Sequence, residues 1–554
     1  MSIPRCCLGI AWTVIACGTA SSQVTTRVSV NSRGDQENGH SYSTDISVDG
    51  RYVVFDSYAT NLVSQDWNHR LDIFVHDRIS GSTERMSVDS SGKEANDDCG
   101  GGSISADGRF VAFSTWASNL VPGDTNNMSD TFVHDRVTGT TEIVSLDQNG
   151  GPGNGESFAA AISSDGRFIA FFSSSSDLVP VDTNNNYDIF VRDRQLGTTE
   201  LVSVDSSGNQ GNSGDAWPAI SADGMIVAFS SDSTNLVTGD TNFLADIFVH
   251  DRSTGITERV SVDSSGNETN GDSNYPSISA DGQTVAFGSY ATNLDPNDGN
   301  GLRDVFVHDR GSAVTKCVSL NTVGLSGNGE SSAGGLSSDG RFVAFQSKVF
   351  DLVPNDTNKL EDVFVRDRAI GITERVSVDS SGNEGNAGSG GFATISANGE
   401  SVAFFSSSTN LVSNDTNGFV DAFVRDRCDA IWLNYGDGFS GTNGIPGFTS
   451  QADPVLDSTL SLDLDNSYGI ATVGLLFVGV QRAELPTSWG GELLVAPTLT
   501  SWISLPPGIT TIAGSIPNDP SLCQLAIDLQ AFEADPGAAK GVSFTPGLEL
   551  ILGN

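Results

Sequence analysis

The sequence predicts an all-β chain: a seven-bladed β-propeller closed by its own N-terminal strand, followed by a C-terminal β-sandwich-like domain. Three observations lead there. The segment Ser105-Ala106-Asp107-Gly108-Arg109-Phe110-Val111-Ala112-Phe113 recurs with its glycine at Gly50, Gly108, Gly166, Gly224, Gly282, Gly340 and Gly399, a step of 58 residues five times and then of 59. Each unit holds four short apolar runs, the number of strands in one blade. A fourth-run segment, Thr25-Thr26-Arg27-Val28-Ser29-Val30, stands alone ahead of the first unit, and the seventh unit lacks one.

In the third unit the runs are 158–163, 167–173, 188–193 and 199–205. The first two are joined by Asp165-Gly166, a dipeptide suited to a type I′ hairpin turn, and Asn398-Gly399 takes that place in the last unit. A second marker keeps the same step: Asp77-Arg78, Asp135-Arg136, Asp193-Arg194, Asp251-Arg252, Asp309-Arg310, Asp367-Arg368 and Asp426-Arg427. Residues 25–30 therefore supply the outer strand of the seventh blade, which leaves no open sheet edge. With four alternating strands per blade, the one–two and three–four turns share one face of the ring. The longer two–three and four–one loops share the other.

The remaining segments are a signal peptide over 1–22, the propeller over 23–427 and a β-rich domain over 428–554. Arg5, the apolar run from Cys6 to Cys17 and Gly18-Thr19-Ala20 form the signal, which is too short for a membrane span. Val14-Ile15-Ala16-Cys17 has the form of a lipobox, so ordinary cleavage and a lipid anchor at Cys17 both stay open. Either route exports the chain to the periplasm, the cell surface or the medium. Runs such as Thr459-Leu460-Ser461-Leu462-Asp463-Leu464 mark the C-terminal domain as β. Of the later cysteines, Cys99 and Cys317 fall in different repeats, which argues against their pairing. For Cys428 and Cys523 a bridge and two free thiols both stay open.

Composition removes some functions. With 28 Lys+Arg against 69 Asp+Glu the formal net charge is −41, which repels nucleic acid and anionic membrane surfaces.

The segment Ile104-Ser105-Ala106-Asp107-Gly108-Arg109-Phe110-Val111-Ala112-Phe113, followed by Asp130-Thr131-Phe132-Val133-His134-Asp135, resembles the TolB-like, WD40-like propeller repeat of exported bacterial proteins. The resemblance covers 25–427 and implies a propeller. Such propellers act as binding scaffolds, as parts of envelope complexes and as gating domains of peptidases. This chain departs from the pattern by carrying Ala, Ser or Val where the proline before Asp-Gly stands, and by a longer two–three loop. The C-terminal region, with Leu493-Leu494-Val495-Ala496-Pro497 and Gly547-Leu548-Glu549-Leu550-Ile551-Leu552-Gly553, resembles a domain recurring in exported planctomycete-type proteins, for which no chemistry carries over.

Every unit carries Asp-x-Asn-x-x-x-Asp before its third strand: Asp66/Asn68/Asp72, Asp124/Asn126/Asp130, Asp182/Asn184/Asp188, Asp240/Asn242/Asp246, Asp298/Asn300/Asp304, Asp356/Asn358/Asp362 and Asp415/Asn417/Asp421. Oxygen ligands at alternate positions suit Ca²⁺. Asx-turns select the same residues, so calcium and structure stay open as alternatives. The Asp-Arg pairs, also copied seven times, read as ion pairs between strands or blades. His76, His134, His250 and His308 share a slot with Arg192, Arg366 and Arg425, which a catalytic histidine would not do. His40 and His69 lie in hydrophilic loops and are expected to be solvated.

No catalytic residue is assigned. Gly438-Phe439-Ser440-Gly441-Thr442 misses the last glycine of a nucleophile elbow, and neither a P-loop nor H-E-x-x-H occurs. Features unique to single blades point instead to the long-loop face: Trp67 and Trp116 near two–three loops, and Trp217, Tyr275 and Phe392 at one equivalent position entering the first strand. Aromatic faces beside carboxylates suit a sugar or a peptide, although packing against neighbouring blades selects aromatics too. The expected function is an exported, non-catalytic binding or scaffold protein whose long-loop face takes an unidentified protein or carbohydrate. The alternatives are an extracellular polysaccharide hydrolase or lyase with carboxylates in the channel, and a TolB-like component of an envelope complex.

Overall fold

The computed structural model describes residues 23–551 apart from 322–323, 355, 428–430, 436–439, 441, 452–453, 455–458, 481, 488–491, 517–525 and 539. The signal segment with Cys17, and both Cys428 and Cys523, lie outside the described residues. Cys99 and Cys317 are buried free thiols. The described secondary structure is β throughout, and among the described residues no helix is long and apolar enough to cross a membrane. Two compact units emerge, one at Thr25–Arg425 and one containing Asp426–Asn554.

The first unit holds seven four-stranded antiparallel sheets. Blade 3 is typical, with Ser157–Ile162, Phe168–Ser173, Asp188–Asp193 and Thr198–Leu201 in that order. Its fourth strand stops short of the expected 205. Past Val202, whose N–H still reaches the Ile189 carbonyl, the Ser203 hydroxyl takes over the Ile189 N–H at 3.1 Å and ends the backbone ladder.

The ring closes as expected. Val24–Arg27 is the outer strand of blade 7, beside Asp421–Asp426. The seven first strands, Ser41–Ile46, Cys99–Ile104, Ser157–Ile162, Asp215–Ile220, Ser273–Ile278, Ser331–Leu336 and Ser389–Ile395, each pack on the next, and the last packs on the first. They are therefore innermost. A circle of backbone hydrogen bonds runs through the hairpins: the N–H of Val48 donates to Ala106, Ala106 to Ser164, Ser164 to Ala222, Ala222 to Ala280, Ala280 to Ser338, Ser338 to Ala397, and Ala397 back to Val48. These are the positions before Asp-Gly or Asn-Gly. A proline there has no N–H to donate, which explains physically why this chain departs from the Ser-Pro-Asp-Gly pattern.

The hairpin turn differs from the type I′ expected. Only its glycine has positive φ (Gly166, 72°), while the aspartates are absent from the positive-φ residues. The Gly166 N–H bonds the Ser163 carbonyl, giving a type I turn followed by a left-handed glycine. Asp165 earns its place differently: it accepts from the Ser163 hydroxyl and the Arg167 N–H. Glycine is needed a second time by approach, because a Cβ at Gly166 would lie 2.1 Å from Phe110 of the preceding blade.

The core lies between blades. Each blade stacks one phenylalanine pair from strands two and three, such as Phe113 on Phe132 at 6.0 Å. Those two rings pack against Val54, Ile73 and Val75 of the blade before.

The C-terminal unit is a sandwich of two main sheets, with a separate two-stranded sheet of Arg482–Pro486 and Glu492–Val495. One sheet runs Ile431–Tyr435, Gly547–Ile551, Ala526–Ala534, Thr472–Gly479, Leu499–Leu505, with Val542–Phe544 on Ala526–Ala534; the other runs Phe448–Ser450, Thr459–Asp465, Ile509–Ser515. The alternation of Leu460, Leu462 and Leu464 turns all three inward against Leu476, Val478, Leu529 and Leu548.

Candidate functional site

The repeated features resolve into joints within and between blades. In each Asp-Arg pair the two residues act separately. Asp135 takes a bidentate bond from Arg109 of its own blade at 3.0 and 2.7 Å, which holds its carboxyl far below the usual range. Arg136 reaches the Gly108 carbonyl at 2.6 Å and Glu84 of the preceding blade at 3.1 Å, with its guanidinium over the Tyr52 ring. The histidine slot is equally structural. His134 Nδ1 lies 2.9 Å from the Thr141 hydroxyl, which donates to the Val88 carbonyl, so the neutral ring is the donor. Burial lowers its pKa. Arg192 donates to Thr199 in the same way.

The Asp-x-Asn-x-x-x-Asp residues are brought together in every blade, and of the two alternatives, calcium ligands and Asx-turns, the asparagines make the turns. The side-chain oxygens of Asn68, Asn126, Asn184, Asn242, Asn300, Asn358 and Asn417 each close an Asx-turn, accepting the N–H two residues on. Six of them turn the other end of the amide, a donor, onto the last aspartate: Asn68 onto Asp72, Asn126 onto Asp130, Asn184 onto Asp188, Asn242 onto Asp246, Asn300 onto Asp304 and Asn417 onto Asp421, at 2.7–3.1 Å. The amide of Asn358 donates to the Gly385 carbonyl at 2.8 Å. An N–H donor aimed at the carboxylate does there what a cation would do, and the oxygen that could ligate is spent on the turn.

Four blades add a guanidinium where a cation would sit. Arg85 lies 3.4, 3.5 and 3.0 Å from Asp66, Asp72 and Glu94. Arg259 lies 3.3 and 3.1 Å from Asp240 and Asp246, Arg375 3.9 and 3.4 Å from Asp356 and Asp362, and Arg27 3.2 and 3.4 Å from Asp415 and Asp421. Asp246 shows how fully such a carboxylate is engaged, since it also accepts from the Ser261 and Thr269 hydroxyls at 2.5 and 3.0 Å. It acts as a structural hub joining strands three and four to the following loop. In blade 3 the Gln210 amide bridges Asp182 and Asp188 at 2.7 and 2.9 Å. Blades 2 and 5 carry Ile143 and Cys317 at the arginine position, and burial raises Asp130 and Asp304 to about 6. Among the described residues no group of three or more His, Cys, Asp or Glu side chains is placed to hold a metal.

The blade-specific aromatics behave differently. Trp217, Tyr275 and Phe392 come from blades 4, 5 and 7, yet their ring centroids lie 5.1, 6.3 and 5.0 Å apart. Blades 4 and 7 are not neighbours, so these rings meet across the axis and fill the channel. A bulge in each first strand aims them inward. Trp217 and Tyr275 occupy it at φ 56° and 58°, where blade 2 has Gly101 at 70°. A bulky residue held there is strained by about 1–3 kcal/mol. In blade 7 the bulge gains one residue, the one that changes the step from 58 to 59, and Gly391 at φ 83° precedes Phe392.

The aromatic surface continues outward through residues the sequence reading missed. Trp217 touches Phe172, Phe172 touches Phe158 and Tyr187, and Phe158 touches Trp116. Trp116 therefore belongs to the same surface. Trp67 does not: it is 74% exposed and makes no ring contact among the described residues. Comparing the last position but one of each second strand would have found Phe172, since Ser114, Ser230 and Gly288 stand there in other blades. Trp217, Phe392 and Trp116 remain 40, 47 and 48% exposed. Polar groups border the rings: Tyr187 donates to Glu156 at 2.9 Å, and the Arg303 guanidinium lies 5.8 Å from the Tyr275 centroid. His40 is another departure. Its Nδ1 accepts the Val420 N–H at 3.0 Å and its ring meets Phe419 edge-on, joining blades 1 and 7, so it is not a solvated loop residue.

No protein-family model and no curated protein matches the chain. Among solved structures it is similar to TolB from Agrobacterium tumefaciens, 16% identical over 54% of this chain and 89% of that one, with a TM-score of 0.34. A prolyl endopeptidase structure is 10% identical over 78% of this chain and 55% of that one, with a TM-score of 0.43, so the chain spans little more than half its length. The WD40 repeats of RRP9 are 8% identical over 74% and 99%, with a TM-score of 0.36. On its own seven four-stranded sheets, closed into a ring, the chain is a β-propeller protein.

Proposed function

We infer that the chain is an exported, non-catalytic binding protein that takes a carbohydrate segment on the aromatic surface at the long-loop mouth of its channel. One observation carries this reading: Trp217 and Tyr275 are held in left-handed backbone, where glycine serves blade 2, and remain in part exposed. Backbone strain persists where the displayed side chain repays it in function. Flat rings supply stacking faces for a sugar, and Glu156 and Arg303 offer hydrogen bonds to hydroxyls at the rim. Asp188 and Asp130, which burial raises to about 7 and about 6, belong to separate blades and are each held by the amide donors described above, which supports binding over hydrolysis.

A glycan array with the full chain, followed by tryptophan fluorescence titration of the best ligand, tests the proposal. Trp217→Gly is the informative variant, because glycine suits the backbone at that position. The expected result is at least about a tenfold weaker Kd with the fold retained. A blank array, or a glycine variant that binds as the parent does, refutes it. Calcium enters this reading only as support for the aspartates of blades 2 and 5, where no guanidinium or glutamine amide bridges the carboxylates. A melting temperature raised by millimolar calcium in the parent and not in the double variant Asp130→Asn, Asp304→Asn supports it; indifference to calcium and chelator refutes it.

A further inference from the structure

Four successive blade interfaces are closed by an ion pair of one design. Arg136 meets Glu84 at 3.1 Å, Arg194 meets Glu142 at 2.5 Å, Arg252 meets Glu200 at 2.9 Å, and Arg310 meets Glu258 at 2.5 Å. Between blades 5 and 6 the design is reversed. The arginine is Arg368, but the residue equivalent to the glutamates is Lys316. Among the described residues no carboxylate lies within ion-pair distance of either. The hydrogen bond of Arg368 goes to the Gly340 carbonyl at 2.5 Å.

The reversal opens a space. A cleft of about 610 Å³ is lined by Lys316, Arg366 and Arg368, with Asp295, Asp309 and Ser312 also on its walls. Arg366 replaces the histidine that blades 1, 2, 4 and 5 carry in that slot and adds a third cation. The two aspartates are also hydrogen-bonded locally, and the charge of Asp309 acts on Arg368. Asp295 accepts the N–H groups of Asn297 and Cys317, and Asp309 accepts the N–H and hydroxyl of Ser312. Burial lowers the pKa of both Arg366 and Arg368, against the opposing pull of Asp367 on the first and of Asp309 and Asp339 on the second. Three cations thus converge in a chain whose formal net charge is −41.

We propose that the cleft between blades 5 and 6 is an oxyanion site, in which Lys316, Arg366 and Arg368 hold a phosphate- or sulfate-type group. Guanidinium forks suit such oxygens, and the lysine adds a point charge. The bound group restores the charge balance that glutamate provides at the four preceding interfaces.

The test uses the full chain and its Lys316→Glu variant, which rebuilds the Glu–Arg pair and is expected to fold. Thermal melts are run in inorganic phosphate or sulfate against chloride of equal ionic strength. At one hundred times the dissociation constant the parent melting temperature should rise by about 2–3 °C, and the variant should not respond. Sulfated dextran and plain dextran then distinguish a free ion from an ester on a polymer. A response to inorganic sulfate supports the free ion, and a response to sulfated dextran alone supports the ester, provided that either vanishes in the variant. No response in the parent, or equal responses in parent and variant, overturns the site. The Trp217→Gly variant should keep the full response, which separates this site from the channel mouth.

Discussion

Asp215 opens the first strand of blade 4, where blades 1, 3, 5, 6 and 7 have serine. There the serine bonds the serine closing strand two, as Ser157 bonds Ser173 at 2.9 Å and Ser389 bonds Ser406 at 2.7 Å. Asp215 stands opposite Ser231 in the same register, is 1% exposed, and among the described residues no well-formed hydrogen bond reaches either carboxylate oxygen, only the neighbouring Ser231 and Ser203 hydroxyls easing its charge. Burial, and after it the nearby Asp188, raise its pKa well above the ordinary value. Replacing it by serine removes an unsatisfied buried group, worth about 1–3 kcal/mol, and adds a hydroxyl pair worth about 1 kcal/mol, less a small loss for reduced volume. The expected gain is about 1–3 kcal/mol. At about 2.1 cal/mol/K of unfolding entropy per residue, a unit of roughly 400 residues shifts by about 1 °C per kcal/mol, so the melting temperature should rise by about 1–4 °C. The pH dependence has a definite sign. A carboxyl with a raised folded pKa favours the native state most below its unfolded pKa near ~4, and that advantage is lost as pH rises through the folded pKa. The gain from Asp215→Ser should therefore grow between pH 4 and pH 9, measured by calorimetry across that range. A variant less stable than the parent, or a gain that shrinks with rising pH, refutes the reasoning.

Gly166→Ala should lose about 2–4 kcal/mol in thermal melts, from the left-handed backbone and from a Cβ 2.1 Å from Phe110. Gly208→Ala, at φ 82° with nothing within 4 Å, should lose only about 1 kcal/mol, which separates approach from strain. Arg85→Ile strands Asp66, Asp72 and Glu94 around a buried position and should cost about 3–5 kcal/mol at neutral pH. Its defect should ease toward pH 5 as Asp66 and Asp72, both raised by burial, take up protons, and an equal loss at both pH values would count against the charge argument. Ala222→Pro fits the turn but removes one of the seven circle bonds; the two effects, each about 1 kcal/mol, should nearly cancel in melts, with faster amide exchange at its neighbours as the visible change.

The ring was legible because repetition multiplies a weak local signal. Seven Asp-Gly or Asn-Gly hairpins give the blade number, and residues 25–30 without a unit of their own give the closure. The turn type was misread, because Asp-Gly serves both the type I′ turn and the type I turn with a following left-handed glycine. The asparagines of the Asp-x-Asn-x-x-x-Asp loops were ambiguous for a similar reason, since an amide offers an oxygen to a cation or to a turn, and only the positions of its neighbours decide between them. Part of the aromatic surface was legible for the opposite reason: Trp217, Tyr275 and Phe392 break the repeat at a shared position, and Trp116 breaks it near a two–three loop. Phe158, Phe172 and Tyr187 lie at other positions in their unit, and only the stacking distances join them to that surface.

Sequence alone determined the strand count, the order of blades and the strand that closes the ring, since these depend on local pattern and period. Tertiary structure decided which repeated charges meet across a blade boundary and which aromatics meet across the axis. Residues such as Trp217 and Phe392, or Lys316 and Arg368, are far apart in the chain and share no local pattern. Closing the ring brings the first pair into contact, and the stacking of adjacent blades places the second pair on one cleft.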